Sequence, residues 1–245
     1  MTDAPELVPW EGAPAGVRAA FSTRLGGVSE GAYASLNLGL RTGDDPRRVV
    51  ENRRRLAQAA DADPGTATMA FQVHGARVAE AEPRGVLRPE GTRFEACDGL
   101  WTDRPGLALL LLTADCLPVA LATRDGRRAA VLHVGWRSLA AGIVEAGADA
   151  LGGDELRAAI GPGIGPCCYR VGEEVAGPFR RRFGADVAAN GTLDLPLAAE
   201  RALRAAGCVA VDRVDACTSC DAERFFSHRR DRGQTGRQGV VAVLA

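Results

Sequence analysis

Three side chains in this sequence combine a thiol with two imidazoles: His74, Cys116 and His133. Residues 109–137, LLLLTADCLPVALATRDGRRAAVLHVGWR, hold two of them, each at the end of an apolar run, with an Arg-Asp-Gly turn between the runs. His74 stands beside Gly75 near the end of another strand-like segment. One thiolate and two neutral imidazoles form an N/S donor set suited to zinc. Three protein ligands leave a fourth position for water or substrate, as catalytic zinc sites do. A metal so held lowers the pKa of bound water to about 7 and polarises a bound group. The spacing of Cys116 and His133 matches no short zinc-finger pattern, so two other readings stay open. They form either a buried cysteine beside a core histidine, or a nucleophile and base that hydrolyse an amide or thioester. Neighbouring strand residues point to opposite faces, so Asp115 is expected to face away from Cys116 and to act structurally.

Other reactive residues give weaker signals. Cys217 and Cys220 form a C-x-x-C pair, half a zinc site or a redox pair, and no second C-x-x-C exists to complete four ligands; the expected role is structural or incidental. Cys167 and Cys168 are adjacent, which suits neither chelation by both nor an ordinary disulfide, and one is expected to turn inward. His228 lies among Arg224, Arg229, Arg230 and Arg237, a cluster able to grip phosphate through charge-assisted forks or to form a solvated basic loop. Arg24 precedes paired glycines, and Asn37 sits in an apolar setting.

The elements that must position these groups follow from periodicity and punctuation. Residues 1–16 read as an irregular start. Apolar runs bounded by turn signals predict strands at 17–23, 107–113, 117–123, 128–134, 156–160 and 240–244. The three central runs are expected to be neighbours, with thiol and imidazole meeting at one sheet edge. Residues 68–80 read as a strand broken at Gly75, residues 83–94 as a loop, and residues 97–103 as a turn into the central strands. A helix is predicted after Asp45, which can cap it, with Pro46 in its first turn and Arg53, Arg54 and Arg55 on a solvated face. Helices are also predicted over 138–151, packed on the sheet through Leu139, Ile143, Ala146 and Ala150, and over 173–183 and 195–206. Residues 161–169 are too rich in Gly and Pro for regular structure.

The chain has 245 residues, with 30 Lys plus Arg, all of them Arg, against 31 Asp plus Glu. No overall field favours nucleic acid or a membrane surface, and no run approaches the ~20 apolar residues that cross a bilayer. A cytoplasmic location is expected, since no leader pattern opens the sequence. Seven cysteines then argue for thiols or metal ligands rather than a disulfide framework. With no internal repeat or low-complexity linker, residues 1–245 are expected to form one integrated α/β domain. The oligomeric state is not specified by any of these features.

Eight segments together carry a family resemblance: Ser22-Thr-Arg-Leu-Gly-Gly-Val-Ser, Ser35-Leu-Asn-Leu-Gly, Gln72-Val-His-Gly, Thr113-Ala-Asp-Cys-Leu-Pro-Val, His133-Val-Gly-Trp-Arg, Gly161-Pro-Gly-Ile-Gly-Pro-Cys-Cys-Tyr and Ser227-His-Arg-Arg-Asp with Thr235-Gly-Arg. The sequence resembles the polyphenol oxidase/laccase-domain family, also known as peptidoglycan editing factors and laccase-domain purine nucleoside phosphorylases. The resemblance implies a single-domain α/β/β/α sandwich with a mixed central sheet, and zinc held by His74, Cys116 and His133. It also implies phosphate-dependent cleavage of adenosine, inosine, guanosine and S-methyl-5'-thioadenosine, with adenosine deamination. Purine nucleosides and phosphate are thus the expected partners. Arg24 would orient phosphate, helped by His228 and Arg229, and Asn37 would join the substrate residues. The chain departs from the family pattern at Val134, Ser138, Arg170 and His228.

The family's multicopper label meets a limit of supply. A blue-copper centre takes two His and one Cys, usually with a weak Met, and a trinuclear cluster needs several more imidazoles. Three histidines cannot serve both. Zinc nucleobase deaminases use H-x-E and P-C-x-x-C motifs, and neither occurs here, which leaves the proton carrier for deamination unassigned. Besides the Cys116–His133 hydrolase, a third reading is a non-catalytic nucleoside- or muropeptide-binding factor in cell-wall editing.

Overall fold

A computed structural model describes residues 4–89, 94–152 and 155–245. Its strands are β1 (Leu7–Pro9), β2 (Val17–Ser22), β3 (Thr68–Met69), β4 (Val78–Glu80), β5 (Gly99–Thr102), β6 (Ala108–Thr113), β7 (Leu117–Thr123), β8 (Ala129–Val134), β9 (Leu156–Ile160), β10 (Ala188–Ala189), β11 (Thr192–Leu193), β12 (Cys208–Arg213) and β13 (Gln238–Leu244). Its α-helices are α1 (Pro46–Ala59), α2 (Trp136–Ala140), α3 (Ile143–Leu151), α4 (Glu173–Phe183) and α5 (Leu195–Ala205).

Two mixed sheets form, ordered β1-β2-β13-β6-β3 and β12-β9-β7-β8-β5-β4, beside a small β10-β11 pair. Strands buried on both faces read as unbroken apolar runs, and period-two alternation divides their side chains between layers. In β6, Leu109 and Leu111 face the space between the sheets, whereas Ala108 and Leu110 join a second cluster with Leu56 of α1. In β7 and β8 the inward positions are Ala120, Ala122, Ala129 and Val131, small enough for the sheets to approach. Their outward partners Val119, Leu121, Ala130 and Leu132 pack with residues of α3, α4 and α5. The result is the expected α/β/β/α sandwich. Among the described residues, no helix is long and apolar enough to cross a membrane.

Helix starts follow the capping chemistry. Asp45 accepts a hydrogen bond from the Arg47 amide, and Asp194 from that of Leu197, with Pro46 and Pro196 in the first turns.

Several expectations need correction. Part of the supposed irregular start forms β1, paired antiparallel with β2; residues 1–3 lie outside the described ones, as do 90–93 of the expected loop. The three central runs are not consecutive neighbours. Strand β6 belongs to one sheet and the β7–β8 pair to the other, because Asp115, at φ 90, turns the chain between layers. The segment 68–80 likewise gives β3 to one sheet and β4 to the other. Residues 97–103 include strand β5 rather than only a turn. The helix expected over 138–151 is split at left-handed Gly142 into α2 and α3, whose buried face holds Val144, Gly147 and Ala148 rather than Ala146 and Ala150. Arg53 is buried, its guanidinium donating to the carbonyls of Leu38 and Val86. That satisfies a charge that would otherwise be costly to bury.

Candidate metal centre and cavity

The layer crossings that break the expected strands are what assemble the site. Cys116 lies at the start of β7 after the Asp115 turn, His133 is the penultimate residue of β8, and His74 occupies the crossing between β3 and β4 at φ 61. Alternation in β8 puts His133 on the same face as Val131, toward the other sheet, where the His74 loop arrives. The two rings meet edge to face with centroids 4.8 Å apart. His74 Nε2 is 3.9 Å from Cys116 Sγ, and one ligand atom from each of the three residues falls within 4.8 Å of the others. A tetrahedral ion with bonds of ~2.0–2.3 Å needs such donors roughly 3.5 Å apart. The three therefore fit a metal ion after small side-chain adjustments.

A residue missed in the sequence orients two of these donors. Asp98 is fully buried just before β5. His133 Nδ1–H donates to its Oδ1 at 2.8 Å, which leaves Nε2 free for a metal. The same carboxylate accepts the backbone amides of Val73, His74 and Gly75 at 3.1, 2.9 and 2.7 Å. Although burial works against the charge, the His133 hydrogen bond and these amides hold the Asp98 carboxyl below its ordinary range. Its one sequence signal is a carboxylate in the Cys97-Asp-Gly segment, whose composition suits a turn.

Burial also opposes the charge on Cys116, yet His133 and His74 bring its thiol down to about 6. His133 is discharged less readily than a free imidazole, because the Cys116 thiolate and Asp98 outweigh its burial. Asp115 accepts from the Thr218 hydroxyl at 2.7 Å and the Arg229 amide at 2.6 Å, the structural role expected of it.

The triad opens into a cavity of about 930 Å³. Tyr169, Phe71 and Trp136 line it with flat surfaces, and Arg41, Arg137, Arg229, Arg237 and His228 with cationic or polar ones. The guanidinium groups of Arg41, Arg137 and Arg229 lie over Phe71, Trp136 and Tyr169 at 4.3, 4.3 and 5.2 Å. Thr113 Oγ1, also on the lining, is buried without a hydrogen-bond partner among the described residues. Burial first, then the Cys116 charge, pushes the Tyr169 phenol up to about 12, keeping it a neutral donor.

His228 and Arg229 thus reach the cavity with the triad, whereas Arg24 and Asn37 do not line it. Arg24 spends its donors on the carbonyls of Ala34 and Ala222, with its guanidinium 4.5 Å from the Phe226 ring centroid. Asn37 is buried, donating to Thr42 Oγ1 and Asp44 Oδ2 and accepting the Gly39 and Arg237 amides. Its bonds tie the loop that carries Arg41 to the backbone of Arg237.

Residues 18–245 match the model of the multi-copper polyphenol oxidoreductase laccase family. The chain belongs to that family. Within it, the chain is 44% identical to purine nucleoside phosphorylase PA4543 of Pseudomonas aeruginosa, over 97% of this chain and 98% of that protein. It is 38% identical to purine nucleoside phosphorylase YlmD of Geobacillus stearothermophilus, over 92% and 90%. The crystal structure of Bacillus licheniformis hypothetical protein YfiH superposes with a TM-score of 0.90 at 34% identity, covering 100% of this chain and 98% of that one. This laccase-family chain holds three histidines, with only His74 and His133 in the triad. That is too few imidazoles for a blue-copper centre together with a trinuclear cluster.

Proposed function

We propose that the protein is a zinc-dependent purine nucleoside phosphorylase acting on adenosine, inosine, guanosine and S-methyl-5'-thioadenosine, with adenosine deaminase activity. The carrying observation is the His74–Cys116–His133 triad on the wall of a cavity lined by aromatic rings and by arginines that form no ion pair among the described residues. The names of the similar proteins support the same substrate class. In phosphorolysis a phosphate oxygen bonds to the ribose anomeric carbon as the bond to the purine nitrogen breaks. The purine departs with a proton, leaving ribose 1-phosphate.

Arg229, Arg237 and His228 suit the phosphate, through charge-assisted bonds. They replace Arg24 in that role because they line the cavity and Arg24 does not. Tyr169, Phe71 and Trp136 suit the flat base, and Thr113 Oγ1 and the Tyr169 hydroxyl offer it hydrogen bonds. Zinc, when bound by the triad, would supply Lewis acidity at the reacting end. Asp98 holds His133 in the tautomer that presents Nε2. Positioning and charge stabilisation carry most of such a rate.

Incubation with adenosine and phosphate, followed by chromatography, tests this reading. Adenine and ribose 1-phosphate report phosphorolysis, and inosine reports deamination. Binding of adenosine without any product would instead support a non-catalytic nucleoside- or muropeptide-binding factor.

One observation favours a second reading. Cys116, His133 and Asp98 also form a nucleophile, base and orienting carboxylate, as a cysteine amidase needs. A metal-free protein alkylated only at Cys116 would favour the hydrolase. Zinc content that falls by one ion per chain in both Cys116→Ala and His74→Ala would favour the phosphorylase.

A further inference from the structure

Four cysteines that sequence spacing leaves without a shared role are brought together. Cys167 and Cys168, in the Gly/Pro-rich loop after β9, meet Cys217 and Cys220, in the loop after β12. All four sulfurs lie within 4.8 Å of one another. Cys220 Sγ is 3.5 Å from Cys167 Sγ and 3.4 Å from Cys168 Sγ. We propose that these four thiols form a second metal site, a closed tetrahedral centre for zinc or a similarly thiophilic divalent ion, distinct from the His74–Cys116–His133 triad.

The geometry favours a shared centre over a disulfide. At a Zn–S bond of ~2.3 Å, tetrahedral sulfurs stand about 3.8 Å apart; Cys220 lies slightly nearer than that to Cys167 and Cys168, and all four sulfurs fall within 4.8 Å of one another, so small side-chain shifts reach that spacing. A disulfide would draw Cys220 to one partner at ~2.05 Å, whereas it is nearly equidistant from two. All four cysteines are free. The second pair of ligands comes not from another C-x-x-C but from adjacent residues on a turn, which the sequence spacing hides.

The surroundings fit thiolate ligands. Cys217 Sγ accepts the Gly165 amide at 3.2 Å, and the backbone amides of Ser219 and Cys220 also turn toward it. Such bonds stabilise sulfur that carries charge. The two loops are already joined, Thr218 N donating to Gly163 O at 3.0 Å and Gly163 N to Ala216 O at 3.4 Å. Four protein ligands leave no open position, the pattern of a structural site.

Its consequence reaches the cavity. Tyr169 directly follows Cys168 and lines the cavity, while Thr218, between Cys217 and Cys220, holds the Asp115 carboxylate next to Cys116. An ion here would therefore clamp the cavity wall without touching substrate.

Metal content decides the matter. Protein purified under reducing conditions from zinc-replete cells should carry two zinc ions per chain by elemental mass spectrometry. Cys220→Ser should lower this to one, as should His74→Ala combined with Cys116→Ala. In that double variant, cobalt should give the thiolate charge-transfer band and intense tetrahedral visible bands of an all-sulfur site, a readout independent of whether the Cys220 variant folds. The proposal is overturned if the double variant binds no cobalt with those bands, or if the only zinc in the wild type survives Cys220→Ser. A Cys167–Cys220 or Cys168–Cys220 disulfide in reduced-purified protein, found by peptide mapping in place of the metal, would also overturn it.

Discussion

Asp98 Oδ1 accepts the Nδ1–H of His133 at 2.8 Å while the same carboxylate holds the amide of His74, so one buried side chain fixes two imidazoles that lie far apart in sequence. Partners of this kind typically contribute 10–100-fold to metal affinity. Asp98→Asn keeps the volume but removes the acceptor charge. It should weaken zinc binding by about 10–100-fold, as read by competition with a chromophoric chelator. Unchanged affinity would remove Asp98 from the account.

Gly135, the residue before α2, is backed directly against the triad. A Cβ added there would stand 2.9 Å from Cys116 Sγ and 3.4 Å from His74 Cδ2, although the backbone at φ −89 accepts alanine. Gly135→Ala should therefore fold, as judged by circular dichroism, and lose about tenfold or more in metal affinity, comparable to losing an orienting partner. Wild-type affinity in the folded variant would show that the sulfur moves aside freely.

The acidity of Cys116 gives a pH signature. In chelator-treated protein its thiol, held at about 6, is mostly thiolate at neutral pH, and the thiolate is the reactive form. Iodoacetamide labelling of Cys116 should rise as pH increases through about 6 and then level off. Cys97 and Cys208, pushed up by burial to about 11, should stay unlabelled. Because protons compete with metal for the same sulfur, acidification below that range should release the ion. A labelling midpoint near the ~8.5 of a free thiol would contradict this.

Arg229 and Arg24 should separate by kinetics. The Arg229 side chain lines the cavity, while its backbone amide holds Asp115 whatever the side chain. Losing a charge-assisted hydrogen bond costs roughly 1.5–3 kcal/mol, so Arg229→Ala should raise the KM for phosphate by about 10–100-fold. Arg24→Ala breaks two backbone contacts away from the cavity and should chiefly lower Tm. The reverse pattern, measured in the phosphorolysis assay, would restore Arg24 as the phosphate residue.

By itself the sequence determined what depends on near neighbours. Asp45 and Asp194 cap their helices because each can reach an amide two or three residues on. The runs around Leu111, Leu121 and Leu132 are strands because their length, apolar character and bounding turns suit a buried sheet. The ligand types at His74, Cys116 and His133 were legible as donor chemistry suited to zinc. Tertiary structure decided which of these elements touch. The switch at Asp115 sends β6 and β7 into different sheets and places Cys116, while the crossing from β3 to β4 brings His74 to His133. Asp98 became part of the site, and Arg24 was withdrawn from it, through partners distant along the chain. The same holds for Cys167, Cys168, Cys217 and Cys220, whose two loops meet through hydrogen bonds between residues some fifty positions apart. Periodicity and capping act over a few residues, whereas these meetings are set by how two twisted sheets stack on small side chains such as Ala120 and Ala129.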